Sequence, residues 1–543
     1  MKQLLSLLAI SFCTFSLGQN TVGLIEYQQS NLDGYIMFSP MGSTETYLID
    51  KCGEKVHSWN SSAYRPALSA AILEDGSLLR TGKLSNSNFN EGGSGGILER
   101  FDWNGDLTWS YTISTANNCM HHDFKVLPNG NILVIVWDRY TYDEAISNGM
   151  NLSYPNSNIW SEKLIELQPI GSDSAEIVWE WKLWNHLVQE YDNSKPNYGE
   201  VSEHPELINI NYFPGQASSQ DWIHLNSVDY NPLLNQLIVS SHTFHEVWVI
   251  DHSTTTSEAA GHVGGSSGKG GDILYRWGNP QAYQRGNPST KKFYSQHHAT
   301  WIPQGYPNAG KILVFNNGLN RPGTFSSIDI ISPPIDTENN YIIEVGSAYL
   351  PSELFWTYSD NPQSDFYSSN ISGVHALENG SFLITSGTSG RLFEIDSTKQ
   401  IVWEYINPIA SSGPIAQGAN PVNNLVFRCE FYPISYPGFN GQLLQPLGEL
   451  EQNPTEPNAC SVVLGISEID IATKVYPNPV LEKLRIENNA NIVKAILLND
   501  ARGKTIKKYS SVNEIDVSFL FSGIYYLQVY FENNSVEVIK LVK

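Results

Sequence analysis

One hairpin unit recurs along the chain and constrains its fold more than any other feature. Each copy has one or two apolar residues, a turn and a run of β-forming residues. An Asp-Gly or Asn-Gly dipeptide supplies the positive φ angles of a tight β-hairpin in three copies. These copies are residues 72–79, 126–134 and 376–384, and looser copies are residues 230–240 and 301–315. The sequence therefore predicts five hairpins.

An aromatic segment follows most copies at a fairly regular distance. These segments contain Trp or Tyr and read as β-strands, at residues 107–111, 177–181, 273–277, 354–358 and 401–405. Repeated short strands with Gly and Trp at fixed points are typical of propeller blades. A further blade around residues 47–59 makes six, over residues 19–440. A pair of β-sandwiches is the alternative fold, but sandwiches do not repeat one unit five times.

The two ends of the chain differ from this repeat. Residues 1–18 combine an early lysine, an apolar run and small residues, which is the pattern of a secretory signal peptide. No other stretch approaches the roughly 20 apolar residues that span a bilayer. We therefore expect export and no transmembrane segment. Residues 441–465, rich in Gln, Glu, Pro and Asn at their start, predict a linker or a poorly structured cover.

Residues 466–543 predict a second, smaller domain. Alternating apolar and polar residues separated by turn residues favour a small β-sandwich, so the predicted fold class is all-β, with a six-bladed β-propeller before this sandwich. The segment Tyr-Pro-Asn-Pro at 476–479, Ser-Gly-Ile-Tyr-Tyr-Leu at 522–527 and the basic end at 540–543 resemble the C-terminal sorting domain of the type IX secretion system. The resemblance implies that the type IX secretion machinery is a partner and that the protein is secreted or lies at the cell surface (outer membrane).

Charge and cysteine content exclude several classes of function. The formal net charge of -23 repels nucleic acid and anionic membranes, which need Lys and Arg on the protein. Outside the signal peptide, Cys52, Cys119, Cys429 and Cys460 are widely spaced and form no CxxC pair. One or two disulfides fit this spacing, and a zinc ribbon does not.

Histidines concentrate in the predicted propeller. All 13 lie between His57 and His375, and four placements adjoin a hairpin unit. Equivalent points of different blades converge on the central channel, so these imidazoles are expected to form one site. The placements are His121-His122-Asp123, His224 in Asp-Trp-Ile-His-Leu-Asn-Ser, His242, and His297-His298 after Gln296.

Two chemistries fit several imidazoles in one channel. Neutral imidazole is a good ligand for zinc, copper or iron. Histidine also titrates near neutral pH and can form a covalent intermediate. Asn226 favours catalysis, because an amide donor holds an anionic oxygen better than a metal.

These segments resemble the bacterial aryl-sulfate sulfotransferases, a cofactor-free family on a six-bladed propeller, over most of residues 35–435. The resemblance rests on three histidine motifs: His-His-Asp at 121–123, Asp-Trp-Ile-His-Leu-Asn-Ser at 221–227 and Gln-His-His-Ala-Thr-Trp-Ile at 296–302. It also rests on Phe-Asn-Asn-Gly at 315–318 with Arg321, and on Gly-Arg-Leu-Phe-Glu at 390–394 before the last aromatic strand. It implies that His297 attacks the sulfur of an aryl sulfate and holds the sulfuryl group until a phenolic acceptor takes it. The neighbouring His298 leaves the alignment open by one residue. His122 or His121, His224 and Asn226 are then implied to bind sulfuryl oxygens and assist proton transfer, without metal or cofactor.

One position departs from the family. An arginine follows the His-x-Asn-Ser segment by one hairpin in the best-known members, and His242 stands there in this chain. Three explanations remain: His242 acts protonated, Arg321 or Arg428 reaches the site, or the substrate differs. The substitution predicts a pH window set by His242. Thr385 and Thr388 are candidate hydroxyl donors, against the reading of an ordinary turn.

Two other classes of function compete with the transferase. A non-enzymatic surface propeller binding glycan or protein fits the 12% aromatic content, although most aromatic residues fall in the repeated strands. A metal-dependent lyase or hydrolase could use the same imidazoles. Stoichiometric zinc or copper would favour the metalloenzyme, and acceptor-dependent turnover of an aryl sulfate would favour the transferase.

Overall fold

The computed structural model describes residues 20–460 and 473–543, except residues 62, 155–156, 214–219, 456–459, 489–492, 502–503, 511–512 and 532–535. The predicted signal peptide lies outside the described residues. Residue contacts divide the chain into two compact units, residues 1–460 and 461–543. The described part is strand-rich, with short α-helices α1 (Tyr142–Ser147) and α2 (Thr256–Ala259). None of its helices is long and apolar enough to cross a membrane.

Six antiparallel sheets of four or five strands make up most of the first unit. Sheet 1 contains, in spatial order, β29 (Val426–Tyr432), β2 (Tyr35–Pro40), β3 (Glu45–Asp50) and β4 (Lys55–Asn60). Sheet 2 contains β5 (Pro66–Ile72), β6 (Leu78–Lys83), β7 (Gly96–Phe101) and β8 (Leu107–Thr112). Sheet 3 contains β9 (Asn118–Val126), β10 (Ile132–Tyr140), β11 (Ile159–Ile170) and β12 (Ser174–Lys182).

The other three sheets follow the same order. Sheet 4 contains β15 (Leu225–Asn231), β16 (Gln236–Ser241), β17 (Glu246–Asp251) and β18 (Ile273–Trp277). Sheet 5 contains β19 (His297–Trp301), β20 (Ile312–Asn316), β21 (Ser327–Ile331) and β22 (Trp356–Tyr358). Sheet 6 contains β23 (Gly373–Ala376), β24 (Phe382–Ser386), β25 (Arg391–Ile395), β26 (Ile401–Ile406) and β1 (Gly23–Tyr27). Two short pairs are β13 (Leu187–Val188) with β14 (Ile208–Asn209), and β27 (Ile409–Ala410) with β28 (Gly413–Pro414).

The five predicted hairpins are confirmed, and each joins the first two strands of a sheet. At the tight turns Gly76, Gly130 and Gly380 have φ angles of 85°, 84° and 85°, the conformation for which glycine is suited. The aromatic segments form all or part of the fourth strand in sheets 2 to 6. The repeat in the sequence is therefore a repeat of whole sheets.

The first strands of the six sheets form a closed ring. β29, β5, β9, β15, β19 and β23 each contact the first strands of two neighbouring sheets. Both ends of this unit contribute to closure, because β29 from its C-terminal end begins sheet 1 and β1 from its N-terminal end completes sheet 6. Apolar side chains between adjacent sheets form the core, including Ile36 and Leu383, both fully buried.

The segment that follows β29 packs on the rest of the first unit. The backbone N–H of Lys55 donates to the carbonyl of Gly448, and Gln452 exchanges backbone hydrogen bonds with residues 415 and 417. A disulfide joins Cys52 to Cys460 and fastens this segment to the connection between β3 and β4. Cys119 and Cys429 are buried free thiols.

The second unit contains two antiparallel sheets. One has β30 (Thr473–Tyr476), β31 (Lys483–Asn488) and β34 (Glu514–Asp516), and the other has β33 (Thr505–Ser510), β32 (Val493–Asp500), β35 (Ile524–Phe531) and β36 (Val536–Val542). Buried residues of both sheets, among them Leu484, Ile515, Leu498 and Leu527, form one apolar cluster.

Candidate active site

Three histidines stand at irregular points of the first strands: in the middle of β9, directly before β15 and at the second residue of β19. His122, His224 and His298 have φ angles of 53°, 54° and 52°, in the left-handed region that non-glycine residues rarely adopt. Near each of them the first strand shifts register against its second strand. Strained backbone of this kind clusters at functional sites. The local bulge also breaks simple strand alternation, so adjacent histidines enter different surroundings.

Four imidazoles from three sheets come together, and we call His122, His224, His242 and His297 the histidine cluster. Ring centroids lie 4.6 Å apart for His122 and His224, and 5.0 Å apart for His224 and His242. The rings of His242 and His297 are separated by 5.5 Å. Phe427 of β29 packs beside this cluster, with its centroid 6.4 Å from that of His297.

His297 is held in one tautomer. Its Nδ1 lies 2.7 Å from Oδ1 of Asn317, whose Nδ2 donates to the carbonyls of Ser368 and Ile371. Because Asn317 uses its N–H groups there, its Oδ1 must accept and Nδ1 of His297 must carry the proton. Among the described residues, no group hydrogen-bonds to Nε2 of His297. Burial lowers the pKa of His297 to about 3, so Nε2 carries a free lone pair at neutral pH.

The pKa of His224 is shifted in the opposite direction to that of His297. Burial acts to lower its pKa, but the carboxylate of Asp221, hydrogen-bonded to Nδ1, raises the pKa of His224 above its ordinary value. Asp221 is itself oriented by the Nε1–H of Trp137, at 3.0 Å. Burial, and then repulsion from His224, lower the pKa of His122 and His242 well below the ordinary value. Environments that separate pKa values in this way assign acid and base roles.

A buried chain of polar contacts leads to His122. Nε2 of His121 lies 2.8 Å from Oε2 of Glu162, and Nδ1 of His121 lies 2.8 Å from Nδ1 of His122. Burial raises the pKa of Glu162 and lowers that of His121, so it favours the neutral form of both groups. The proton of Glu162 then donates to His121, and Nδ1–H of His121 donates to His122. This arrangement leaves Nε2–H of His122 as a donor. Trp137 stacks on His121 with centroids 4.0 Å apart.

His298 lies outside the histidine cluster. Its Nδ1 accepts a hydrogen bond from the backbone N–H of Val374 at 3.0 Å, and its ring is 4.7 Å from that of His375. It lines a cavity of about 780 Å³ where the first strands continue towards their hairpin turns, which we call the ion-paired cavity. Charged side chains there include Asp123, Lys125, Asp229, Arg428 and Glu430.

Other sequence-predicted residues lie beside or away from the histidine cluster. Asn226 is fully buried and donates its amide N–H to the carbonyl of Gln296, so it braces the strand that bears His297. Arg321 donates to Ser327 and packs over the rings of Tyr294 and Phe325. Thr385, between sheets 6 and 1, donates to the sulfur of Cys429 and accepts from its backbone N–H, and the Thr388 hydroxyl lies 2.9 Å from that of Ser368.

Sequence reasoning gave no role to five groups around the histidine cluster: Asp221, Glu162, Trp137, Asn317 and Phe427. Asn317 stands inside a segment that the sequence singled out, and Asp221 precedes His224 by three residues, so the motifs contain a signal for both. Trp137 lies in the apolar run of β10, and Glu162 lies between Ser161 and Lys163 in β11, outside the quoted motifs. Nothing in their local sequence distinguishes them.

Comparison with solved structures finds similarity over most of the chain at low identity. A protein of unknown function from Bacteroides caccae has 11% identity and a TM-score of 0.41, over 73% of this chain and 98% of its own. An inactive virginiamycin B lyase from Staphylococcus aureus has 11% identity and a TM-score of 0.32, over 72% and 90%. A putative 6-phosphogluconolactonase from Bacteroides fragilis has 9% identity and a TM-score of 0.33, over 75% and 99%. No curated protein matches the sequence significantly.

Family models match both parts of the chain. Residues 474–543 match the secretion system C-terminal sorting domain, which supports secretion or a cell-surface location through type IX sorting. Residues 26–410 match the arylsulfotransferase model, and this match includes the whole histidine cluster. Because it spans well over half of the sequence, the chain belongs to the arylsulfotransferase family.

Proposed function

We propose that this protein transfers a sulfuryl group from an aryl sulfate to a phenolic acceptor through a sulfohistidine on His297. One observation carries the proposal: a buried, neutral imidazole with its proton fixed on Nδ1 by Asn317 and its Nε2 lone pair unused. An activated nucleophile oriented by a third group is the arrangement that covalent catalysis requires. His298 lacks it, because its Nδ1 already accepts from Val374 and its ring faces the ion-paired cavity.

The proposed scaffold is a six-bladed propeller over residues 19–440. Six sheets whose first strands form a closed ring, with β29 and β1 joining the two ends, support this architecture. First strands line the axis of a propeller, which explains why residues distant in sequence meet there. For residues 466–543, two sheets over one apolar cluster support a β-sandwich.

In the first step Nε2 of His297 attacks sulfur, an N–S bond forms, and the bond from sulfur to the aryl oxygen breaks. The phenolic oxygen leaves with the electron pair and takes a proton from the imidazolium of His224. Asp221 favours that charged form of His224. A leaving phenol whose pKa is near 10 benefits from such a general acid.

The second step reverses the proton transfer. Neutral His224 accepts the proton of the acceptor phenol, whose oxygen attacks sulfur as the S–N bond breaks. The electron pair returns to Nε2 of His297, and the product is a new aryl sulfate. Donor and acceptor therefore use one site in turn, which is ping-pong kinetics.

The sulfuryl oxygens need fixed donors and positive charge. His122, oriented through His121 and Glu162, presents an N–H donor, and the His224 imidazolium supplies charge. His242 lies between His224 and His297, and its lowered pKa makes it a neutral donor near pH 7. In this chain the charge that the family places on an arginine is thus carried by His224 with Asp221.

The direct assay mixes purified protein with 4-nitrophenyl sulfate, with and without a phenol. We expect nitrophenol release that depends on the acceptor and is lost in His297→Ala. His204→Ala, which removes a histidine whose side chain is 43% exposed and is paired with Glu206, is the matched control. No turnover with any aryl sulfate would favour a binding propeller. Because His242 is neutral near pH 7, His242→Arg should keep a pH-dependent limb that is due to His224; loss of that limb would instead assign it to His242, as the sequence predicts.

A further inference from the structure

Sheet 4 contains a long connection that the proposed reaction does not use. Residues 252–272 join β17 to β18, whereas residues 102–106 and 396–400 make the corresponding connections in sheets 2 and 6. The connection contains α2 and several glycines with positive φ, including Gly264 and Gly268. It carries few apolar side chains, so other contacts must hold its fold.

Three potential metal ligands converge at the base of this connection. His186 follows β12 in sheet 3, His262 lies within the connection, and Asp272 ends it. Nδ1 of His186 and Nδ1 of His262 each lie 2.8 Å from Oδ1 of Asp272. All three ligand atoms fall within 4.8 Å of one another. They lie beside the outermost strand of sheet 4, whereas His224 lies beside the first.

The hydrogen bond made by Nε2 of His186 fixes the tautomer of the neutral ring. Nε2 lies 3.0 Å from the carbonyl of Ala259, which accepts only from an N–H. In a neutral imidazole Nδ1 is then unprotonated, and its lone pair faces the carboxylate of Asp272. Two electron-rich atoms at 2.8 Å need a cation between them, either a proton or a metal ion. Ligating histidines commonly donate their other N–H to a backbone carbonyl in this way.

His186 is also fixed by its surroundings. It is fully buried and stacks on Trp181, with ring planes 8° apart. Trp181 donates its Nε1–H to the carbonyl of Gly271, next to Asp272, at 2.7 Å. Two of the three ligands are therefore rigidly held. His262, 59% exposed, leaves an open side through which an ion can enter.

We propose that His186, His262 and Asp272 bind one divalent transition-metal ion of the zinc class, with water completing the coordination. Two imidazole nitrogens and a carboxylate suit this class better than calcium or magnesium, which prefer oxygen. Metal–ligand bonds of about 2.0 to 2.2 Å need each imidazole Nδ1, now 2.8 Å from Oδ1 of Asp272, to move away from that oxygen by ~0.5 Å. They also need the two nitrogens to lie closer to each other than the 4.8 Å that bounds the three ligand atoms. The ion links sheet 3 to the connection in sheet 4. This site is independent of the sulfuryl-transfer proposal.

Zinc binding to the full-length secreted protein tests the proposal. Protein stripped with a chelator and then freed of it is titrated with ZnCl₂ by calorimetry. We expect one equivalent in the wild type and at least a 10-fold weaker affinity in His262→Ala. Since His262 is mostly exposed, that variant keeps the fold. His204→Ala serves as an exposed control, and His297→Ala excludes binding at the histidine cluster; both should bind zinc as the wild type does.

A thermal readout adds a second criterion. At one zinc concentration, the Tm of the wild type and of Asp272→Glu, which keeps a carboxylate, should rise more than that of His262→Ala, because stabilisation grows with the ratio of free zinc to Kd. No zinc binding by the wild type would overturn the proposal. Undiminished binding by His262→Ala, or binding lost in His297→Ala, would also overturn it.

Discussion

His297 and His298 are adjacent in sequence, yet they lie in two regions with opposite electrostatics. His297 belongs to the histidine cluster, where four imidazoles meet and Asp221 pairs with His224. His298 lines the ion-paired cavity, where Arg428 pairs with Asp123 at 3.0 Å and Lys125 with Asp229 at 2.7 Å. In the first region the Nε2 lone pair of His297 remains available for chemistry, whereas in the second the paired charges already satisfy one another. Substitutions in the first region should therefore reduce turnover, and substitutions in the second should reduce stability.

The largest expected effect separates the two neighbours directly. His297→Ala removes the nucleophile, so we expect acceptor-dependent turnover of 4-nitrophenyl sulfate to fall by ~10³-fold or more. His298→Ala removes only an acceptor for Val374 and should change turnover by less than ~10-fold. Steady-state rates of both variants measure the difference. The reverse ranking would exchange the roles of the two residues.

A second test removes the charge that distinguishes His224. In Asp221→Asn the pKa of His224 should fall, so fewer molecules carry the imidazolium at neutral pH. Turnover of phenyl sulfate should fall by ~10²-fold, because loss of a general acid costs about that much. 4-Nitrophenyl sulfate, which releases a more acidic phenol, should be affected less.

The pH dependence of kcat/KM tests whether His224 acts as a general acid. For the donor step, kcat/KM requires protonated His224, so it should decline as pH rises through the raised pKa of His224. In Asp221→Asn this decline should begin at lower pH. Equal losses for both donors, with an unmoved alkaline limb, would remove His224 from the role of general acid.

A smaller effect is expected from the buried chain behind His122. Glu162→Leu keeps a side chain of similar size but removes the proton donor to His121, which weakens the orientation of His122. We expect kcat to fall by ~10-fold, as when other residues that orient a functional side chain are replaced. Melting temperature should be measured in parallel, since a loss of kcat that follows unfolding alone would assign Glu162 only a structural role.

The ion-paired cavity should respond in the opposite way. Asp123→Asn leaves Arg428 buried without its charged partner, so the free energy of unfolding should fall by ~3 kcal/mol. The folded variant should keep the turnover of the wild type within a few-fold. Chemical denaturation and steady-state assays test both parts. A stable but inactive variant would place the cavity in the reaction.

The sequence anticipated the regular parts of this fold for a physical reason. Tight turns with Asp-Gly or Asn-Gly and strands with Trp or Tyr are local signals, and they located the hairpins and the fourth strands. Closure was not local: β1 pairs with β26 and β29 pairs with β2 across nearly the whole first unit. A strand that pairs with a partner so distant in sequence carries no local signal of that pairing.

The site shows the same division. Histidines placed at one point of a repeated unit could be predicted to converge, and four of them do. The direction of each ring could not, because the positive φ of His122, His224 and His298 redirects the chain within a single residue. Asn226 shows a related limit. Its amide was predicted to reach substrate, but the bulge beside it directs that N–H to the carbonyl of Gln296.

The covalent intermediate is the most direct test of the central claim. Protein mixed with an aryl sulfate in the absence of acceptor should be quenched under alkaline conditions, which preserve the N–S bond, and its peptides analysed by mass spectrometry. We predict one sulfuryl group per molecule on His297, absent in His297→Ala and discharged when a phenol is added. A sulfuryl group on His298, or turnover without any labelled histidine, would contradict the account.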